Sequence, residues 1–121
     1  YAYKTMKRLL PGPYTFILPA SRLVPKILMT KRQTTGIRVP ANEICLSLVR
    51  ELGHPIISTS ASTDKDEILS DPEEIRKRYG HAVELILDGG ILASEMSSVI
   101  SLVDDVPEVI RAGKGDVSEF Q

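Results

Sequence analysis

Apolar and polar positions along this chain change period several times, and each change predicts an element. Over residues 3–10 the cations Lys4, Lys7 and Arg8 sit on one side of an apolar stripe, as in a helix. Pro11-Gly12-Pro13 ends it, because proline cannot continue a helix and glycine permits a sharp turn. The run YTFIL at 14–18 is aromatic and β-branched and predicts a buried strand. Residues 24–29 read as a short apolar helical piece before a basic turn at Lys31-Arg32, and 36–39 as a second strand stopped by Pro40. Asn42 suits the cap of a helix over 44–52 whose apolar set is Ile44, Cys45, Leu48, Val49 and Leu52, with Gly53 as its left-handed terminator. A third strand is expected at 56–59 and a polar, mobile connection at 63–70. Asp71-Pro72-Glu73-Glu74 then starts a helix that ends at Gly80, with a capping acid, proline in the first turn and acids at the positive helix end. Residues 83–87 read as a strand closed by the Asp88-Gly89-Gly90 turn. The last strands, 99–103 and 108–111, are linked by Asp104-Asp105. Strands alternating with helices and then a β-rich end describe a layered α/β (α+β) sheet.

Composition narrows the class. At 121 residues and 42% hydrophobic, the chain holds enough apolar side chains for one domain's core. Its 15 basic and 16 acidic residues give a net charge of −1 without a basic block, which gives nucleic-acid or acidic-membrane binding no support from global charge. The single cysteine, Cys45, excludes an internal disulfide and is expected in the core. His54 and His81 are isolated and no Cys/His spacing matches a zinc site, so no protein-bound metal is expected. No apolar run approaches the ~20 residues of a membrane span. A soluble, cytoplasmic protein without a signal peptide is expected. The chain opens on Tyr1 within a helical pattern, as a piece of a longer protein would.

The candidate chemistry is concentrated between Thr35 and Ser62. Arg38 lies in a strand between Ile37 and Val39, and an arginine there needs an anionic partner. The third strand opens into five small residues, Ser58, Thr59, Ser60, Ala61 and Ser62, four of them hydroxylic. Hydroxyls at the carboxyl end of a strand stand where open α/β sheets bind ligands. Ser97 and Ser98 form a second hydroxyl cluster, and Arg111 ends the last strand before Gly113 and Gly115. Gly12 would let backbone approach a ligand beside Thr15. No nucleophile elbow, Walker loop or dinucleotide fingerprint is present. Two arginines and two hydroxyl clusters suit a small substrate carrying carboxylate and phosphate.

The segments PGPYTFIL, TGIRVPANEICLSLVRELG, PIISTSAS, DGG, SSVISL and VIRAGKGDV, in this order and spacing, resemble the YrdC/YciO family over about residues 5–120. The YciO-like branch is the nearer in its YTFIL strand and its GxGDV-type tail. The resemblance implies a YrdC/RibB-like fold, a twisted mixed open sheet flanked by helices in a single domain. Residues 1–121 would be its C-terminal part, with the N-terminal portion absent.

The resemblance also implies a threonylcarbamoyl-AMP synthase reaction. L-threonine, bicarbonate and ATP would give threonylcarbamoyl-AMP and pyrophosphate, feeding threonylcarbamoyladenosine formation in tRNA. Arg38 would hold the amino-acid carboxylate. Ser58, Ser60, Ser62, Ser97 and Ser98 would contact phosphate or threonine, and Arg111 would bind near the nucleotide. Gly12 and Thr15 would line the loop, and Mg2+ would stay with the phosphates. Three departures are visible: the family's lysine-x-arginine signature precedes this chain, Ser62 stands where the synthase branch has asparagine, and Ser101 stands where it has an acid. The alternative reading is a nucleotide- or RNA-binding translation factor without turnover.

Overall fold

The computed structural model describes residues 1–21, 33–92, 96–104 and 106–121. The expected helical piece at 24–29, the Lys31-Arg32 turn and Asp105 lie outside the described residues. The chain divides into two compact units, Tyr1–Asn42 with Glu95–Gln121, and Glu43–Ser94.

The first unit is built on a mixed four-stranded sheet. Its elements are helix α1 (Ala2–Leu9) and strands β1 (Tyr14–Pro19) and β2 (Thr34–Arg38). Strands β3 (Ser98–Ser101) and β4 (Glu108–Arg111) follow, with a final 3-10 turn at Ser118–Phe120. The spatial order is β2-β1-β3-β4; β1 runs antiparallel to β2 and parallel to β3, and β4 is antiparallel to β3. Side chains alternate between faces of a strand. Tyr14 and Phe16 on β1 therefore share a face with Ser98 and Ile100, which lie in register with them on β3. That face is the core: Tyr14, Phe16, Ile100, Leu102 and Phe120 are buried, and Phe16 and Ile100 are wholly so. Tyr14 stacks on Phe16 at 5.7 Å between ring centroids, and Phe120 meets Phe16 edge-on at 6.5 Å. Burying one such ring stabilises by about 1.5–3 kcal/mol. Ala2, Met6 and Leu9 of α1 pack on the same cluster while Lys4, Lys7 and Arg8 stay outside, as the helical spacing predicts.

The tail after β4 closes this core. Tyr14 donates its hydroxyl to the Asp116 carbonyl at 2.9 Å. A Cβ on Gly115 would stand 2.6 Å from Tyr14 Cε1 and 2.9 Å from the Pro13 carbonyl oxygen, so only glycine lets the tail approach so closely. Arg8 grips Glu119 with both guanidinium ends, Nη1 to Oε1 at 3.0 Å and Nη2 to Oε2 at 2.6 Å. That hydrogen bond and the charge of Arg8 hold the Glu119 carboxyl below its ordinary value.

In the second unit, helix α2 (Glu43–Leu52) starts directly after Asn42, and Gly53 follows with φ +76°, the expected left-handed terminator. Helix α3 (Pro72–Tyr79) is capped by Asp71, whose carboxylate accepts from Glu73 N at 3.0 Å. Three expectations fail in this unit. Cys45 is exposed, as is much of the apolar side of α2, whose helical spacing shows which positions align but not that anything covers them. The strands expected at 56–59 and 83–87 have no ladder partner among the described residues, and Ile57 and Leu85 stand 63% and 75% exposed. A β-rich run becomes a strand only beside another strand that takes its N–H and C=O groups. The connection at 63–70 is tied down instead: Ser62 bridges to Ile68, Leu69 N donates to Ala61 O, and Thr63 N to Glu67 O. No helix among the described residues is long and apolar enough to cross a membrane.

Two outcomes test this packing. Gly115→Ala, which forces a methyl against Tyr14 and backbone, is expected to cost about 1–3 kcal/mol in denaturant unfolding. Glu119→Gln removes a carboxylate whose folded pKa is depressed, so its stabilising part is present above the ordinary carboxylate value and lost as pH falls through the folded one. Wild type is thus expected to exceed Glu119→Gln slightly at neutral pH, the pair being exposed, and the gap should close on acidification.

Candidate functional site

Opposite the core face, the sheet carries an in-register polar row. Thr15 pairs with Arg38 across β1 and β2, Thr15 with Val99 across β1 and β3, and Val99 with Arg111 across β3 and β4. Directly paired residues share a face, which sets Arg38, Thr15 and Val99 in one line; the β3–β4 register shifts by a β-bulge between Val99 and Ile100, and it is the bonds of Arg111 to Ser97, whose hydroxyl meets Thr15, that bring its guanidinium to the same side. With strands about 4.8 Å apart, the two arginine backbones lie roughly 14 Å from each other over three strand gaps. A threonine at the centre and a guanidinium at each end make a positively charged rack.

The two arginines are prepared differently. Arg111 donates Nε and Nη2 to the Ser97 carbonyl at 3.0 and 2.8 Å, and Nη2 also reaches Ser97 Oγ at 3.3 Å. Ser97 Oγ shares a hydrogen bond with Thr15 Oγ1 at 2.7 Å. Arg111, Ser97 and Thr15 therefore form one connected set, which orders the guanidinium and leaves its Nη1 edge without a partner among the described residues. Arg38 is exposed and has no hydrogen-bond or ion-pair partner among the described residues. The expectation that this arginine needs an anionic partner assumes a buried strand; Arg38 is exposed, and water can solvate its guanidinium where the described residues give it no partner.

The neighbouring serines divide. Ser98 is fully buried on the core face, donates Oγ–H to the Gly115 carbonyl at 2.6 Å and accepts from Gly113 N at 2.9 Å. Its hydroxyl fastens the tail to β3 and is spent on the fold, so Ser97, one residue earlier, is the hydroxyl on the arginine side. Gly12 is likewise explained by packing. It is buried, its N–H donates to Val39 O at 2.9 Å, and a Cβ there would press on the Leu9 carbonyl oxygen.

Ser58, Ser60 and Ser62 belong to the second unit. Ser58 and Ser60 are exposed and Ser62 half-buried, and none of the three hydroxyls has a partner among the described residues. The Ser62 carbonyl accepts from the Tyr79 hydroxyl at 2.5 Å. Sequence reasoning missed this tyrosine, because the helix end KRYG carries no sign of which loop its ring will meet. A groove of about 430 Å³ in this unit is lined by Glu43, Ile44, Ser47, Leu48, Glu51 and Leu87. Its two carboxylates make it unsuited to an anion. Among the described residues, no group of three His, Cys, Asp or Glu side chains could hold a metal ion.

The division of the serines is measurable. Ser98→Ala leaves the buried Gly115 carbonyl and the part-buried Gly113 N–H unpaired and is expected to lower unfolding free energy by about 1–3 kcal/mol. Ser97 is buried as well, but Ser97→Ala keeps the carbonyl that holds Arg111 and loses only part-buried bonds to Thr15 and Arg111, so it should cost less, about 0.5–1.5 kcal/mol in the same urea titration.

Comparison with known proteins bears on this geometry. The Sua5_yciO_yrdC family model, described as telomere recombination, matches residues 1–113. The uncharacterised protein YciO of Escherichia coli K12 is 46% identical over 121 residues, covering 98% of this chain and 59% of that protein. The threonylcarbamoyl-AMP synthase of Pyrococcus abyssi is 31% identical over 116 residues, covering 95% of this chain and 34% of that protein. The crystal structure of E. coli YciO superposes with a TM-score of 0.92 at 46% identity, covering 99% of this chain and 59% of that one. P. abyssi Sua5 complexed with L-threonine superposes with a TM-score of 0.88 at 31% identity, covering 98% and 35%. The chain spans 59% of the YciO relative's length. The α/β fold expected from the alternation of strands and helices is the fold of these relatives. With the family model matched over nearly its whole length, the chain belongs to the Sua5/YciO/YrdC family.

Proposed function

We propose that this chain carries part of the substrate site of a threonylcarbamoyl-AMP synthase-like enzyme. The observation that supports it most is the row Arg38–Thr15–Val99–Arg111, with the Arg38 guanidinium and one edge of Arg111 without a partner among the described residues. Such a rack binds an anion at each end. In the proposed reaction the threonine amine attacks bicarbonate carbon, water leaves, and the carbamate oxygen attacks the α-phosphorus of ATP as pyrophosphate departs. Arg38 holds the threonine carboxylate through paired N–H donors, and Arg111, held rigid by Ser97, meets the adenylate phosphate. Rigidity matters there, because a donor already in place costs no reorganisation as charge develops. By the family resemblance, the hydroxyls of Ser58, Ser60 and Ser62 in the second unit are proposed as ligand groups in their own right. ATP brings its Mg2+ on its own phosphates. A relative at 31% identity in complex with L-threonine supports the amino-acid half of the reading.

Binding without turnover is the second reading, and Ser62 favours it: where the synthase branch has an amide with donor and acceptor ends, a single hydroxyl replaces it. RNA is the weaker ligand for such a binding protein, since the net charge is −1.

The full-length protein should release pyrophosphate in a reaction that requires both ATP and L-threonine. Arg38→Ala removes a charged hydrogen bond of about 1.5–3 kcal/mol and should raise KM for L-threonine roughly 10- to 150-fold. Absence of threonine-dependent release above background, together with no effect of Arg38→Ala on threonine binding, overturns the synthase reading. ATP binding without release selects the binding protein.

A further inference from the structure

We propose that Tyr79 is a positioning residue for the hydroxyl-bearing loop at Ser60–Ser62, acting through the backbone of Ser62; the inference rests on the reading of that loop as substrate-facing.

The loop's hydroxyls are exposed or half-exposed and lie in a stretch with no ladder of its own before Ser62, so something else must give them a fixed place. Residues 61–69 supply it by closing on themselves. Ser62 bridges to Ile68, Leu69 N donates to Ala61 O at 2.9 Å, and Thr63 N donates to Glu67 O at 2.9 Å. At the tip, Thr63 Oγ1 accepts from Lys65 N and Glu67 N, both at 3.2 Å, which spares those amides a search for water. The closed loop is then gripped by two consecutive residues in the last turn of α3. Tyr79 donates its hydroxyl to the Ser62 carbonyl at 2.5 Å, and Arg78 Nη1 donates to Asp64 Oδ1 at 3.0 Å. Asp64 is kept below the ordinary carboxylate value by its own backbone N–H and by Arg78, so this second grip is present at neutral pH.

The two grips are unequal. Asp64 is almost fully exposed and Arg78 nearly half so, and an exposed ion pair holds little. The Tyr79 bond is exposed too, but it ends on the backbone of half-buried Ser62 itself and uses a side chain with few torsions to order. Helix α3 is itself anchored at its other end by the Asp71 cap and the buried Pro72. The ring therefore ties Ser62 to a fixed element, while the Ser62 hydroxyl stays free of any partner among the described residues. A phenol pinning the backbone and a free hydroxyl one residue's width away is the arrangement needed to present that hydroxyl to a ligand.

The test uses the full-length protein with Mg-ATP and L-threonine as probes. Tyr79→Phe keeps the ring and deletes only the donor. It should raise KM, or Kd in direct titration, about five- to tenfold with the effect falling on KM rather than kcat, and quicken amide exchange across residues 62–68. Arg78→Ala should do less than twofold. A merely structural tyrosine would not interact with the Ser62 hydroxyl, so the deciding measurement is the cycle with Ser62→Ala. The double variant should bind about as weakly as the weaker single variant. Additive effects, or quickened exchange with unchanged ligand affinity, overturn the positioning role and leave the proposed function standing. If wild type neither binds nor turns over either probe, the proposed function falls and this role falls with it.

Discussion

The parallel pairing of β1 with β3 is the constraint on which the first unit depends. Parallel strands cannot be joined by a tight turn, so the chain must travel from Pro19 to Ser98 before β1 gains its central neighbour. What makes that distant pairing worth closing is the face it creates, with Tyr14, Phe16 and Ile100 buried together and Phe120 laid across them. Register follows from the same burial. A slip of one residue would turn Phe16 to the outside and Thr15 to the core. Ser98 adds a polar lock, because its buried hydroxyl finds both of its partners only when the tail at Gly113 and Gly115 is in place.

The same register, with one β-bulge between β3 and β4, produces the candidate site. Once Phe16 faces the core, Thr15 must face away, and the pairings of Thr15 with Arg38 and Val99, and of Val99 with Arg111, line up the cations. The core and the face that carries the arginines are two sides of one pleat. Arg111 gains its fixed orientation from the Ser97 carbonyl, one residue from the serine that locks the tail. The tail lock and the ordering of Arg111 thus meet in adjacent residues with opposite side-chain directions, and for that reason Ser97 and Ser98 have such different partners.

Much of the fold was legible because its signals are local. The proline-glycine turn, the YTFIL strand and the Asp71 cap each act within a few residues, and α1, β1 and α3 appear where they predict. The errors share a cause. Cys45, the runs at 56–59 and 83–87, and the loop at 63–70 were each judged by patterns that report a tendency to be buried, paired or loose. Whether a tendency is realised depends on a neighbour far away in the chain. The site was half legible in the same sense. Arg38, Arg111 and Thr15 were candidates by residue type, and so were Ser98 and Gly12, which the structure uses for packing.

The sequence by itself determined the residue types, the helices and the principal strands of the sheet, and the family, because these depend on composition and short-range spacing. Only the tertiary structure decided that Thr15 and Arg38 share a row with Arg111, that Ser97 rather than Ser98 faces it, and that Tyr79 holds Ser62. Those relations are set by strand register and by contacts between residues far apart in the chain, such as Thr15 and Ser97, 82 positions from each other. No local pattern carries the face on which a side chain emerges once such a pairing has closed.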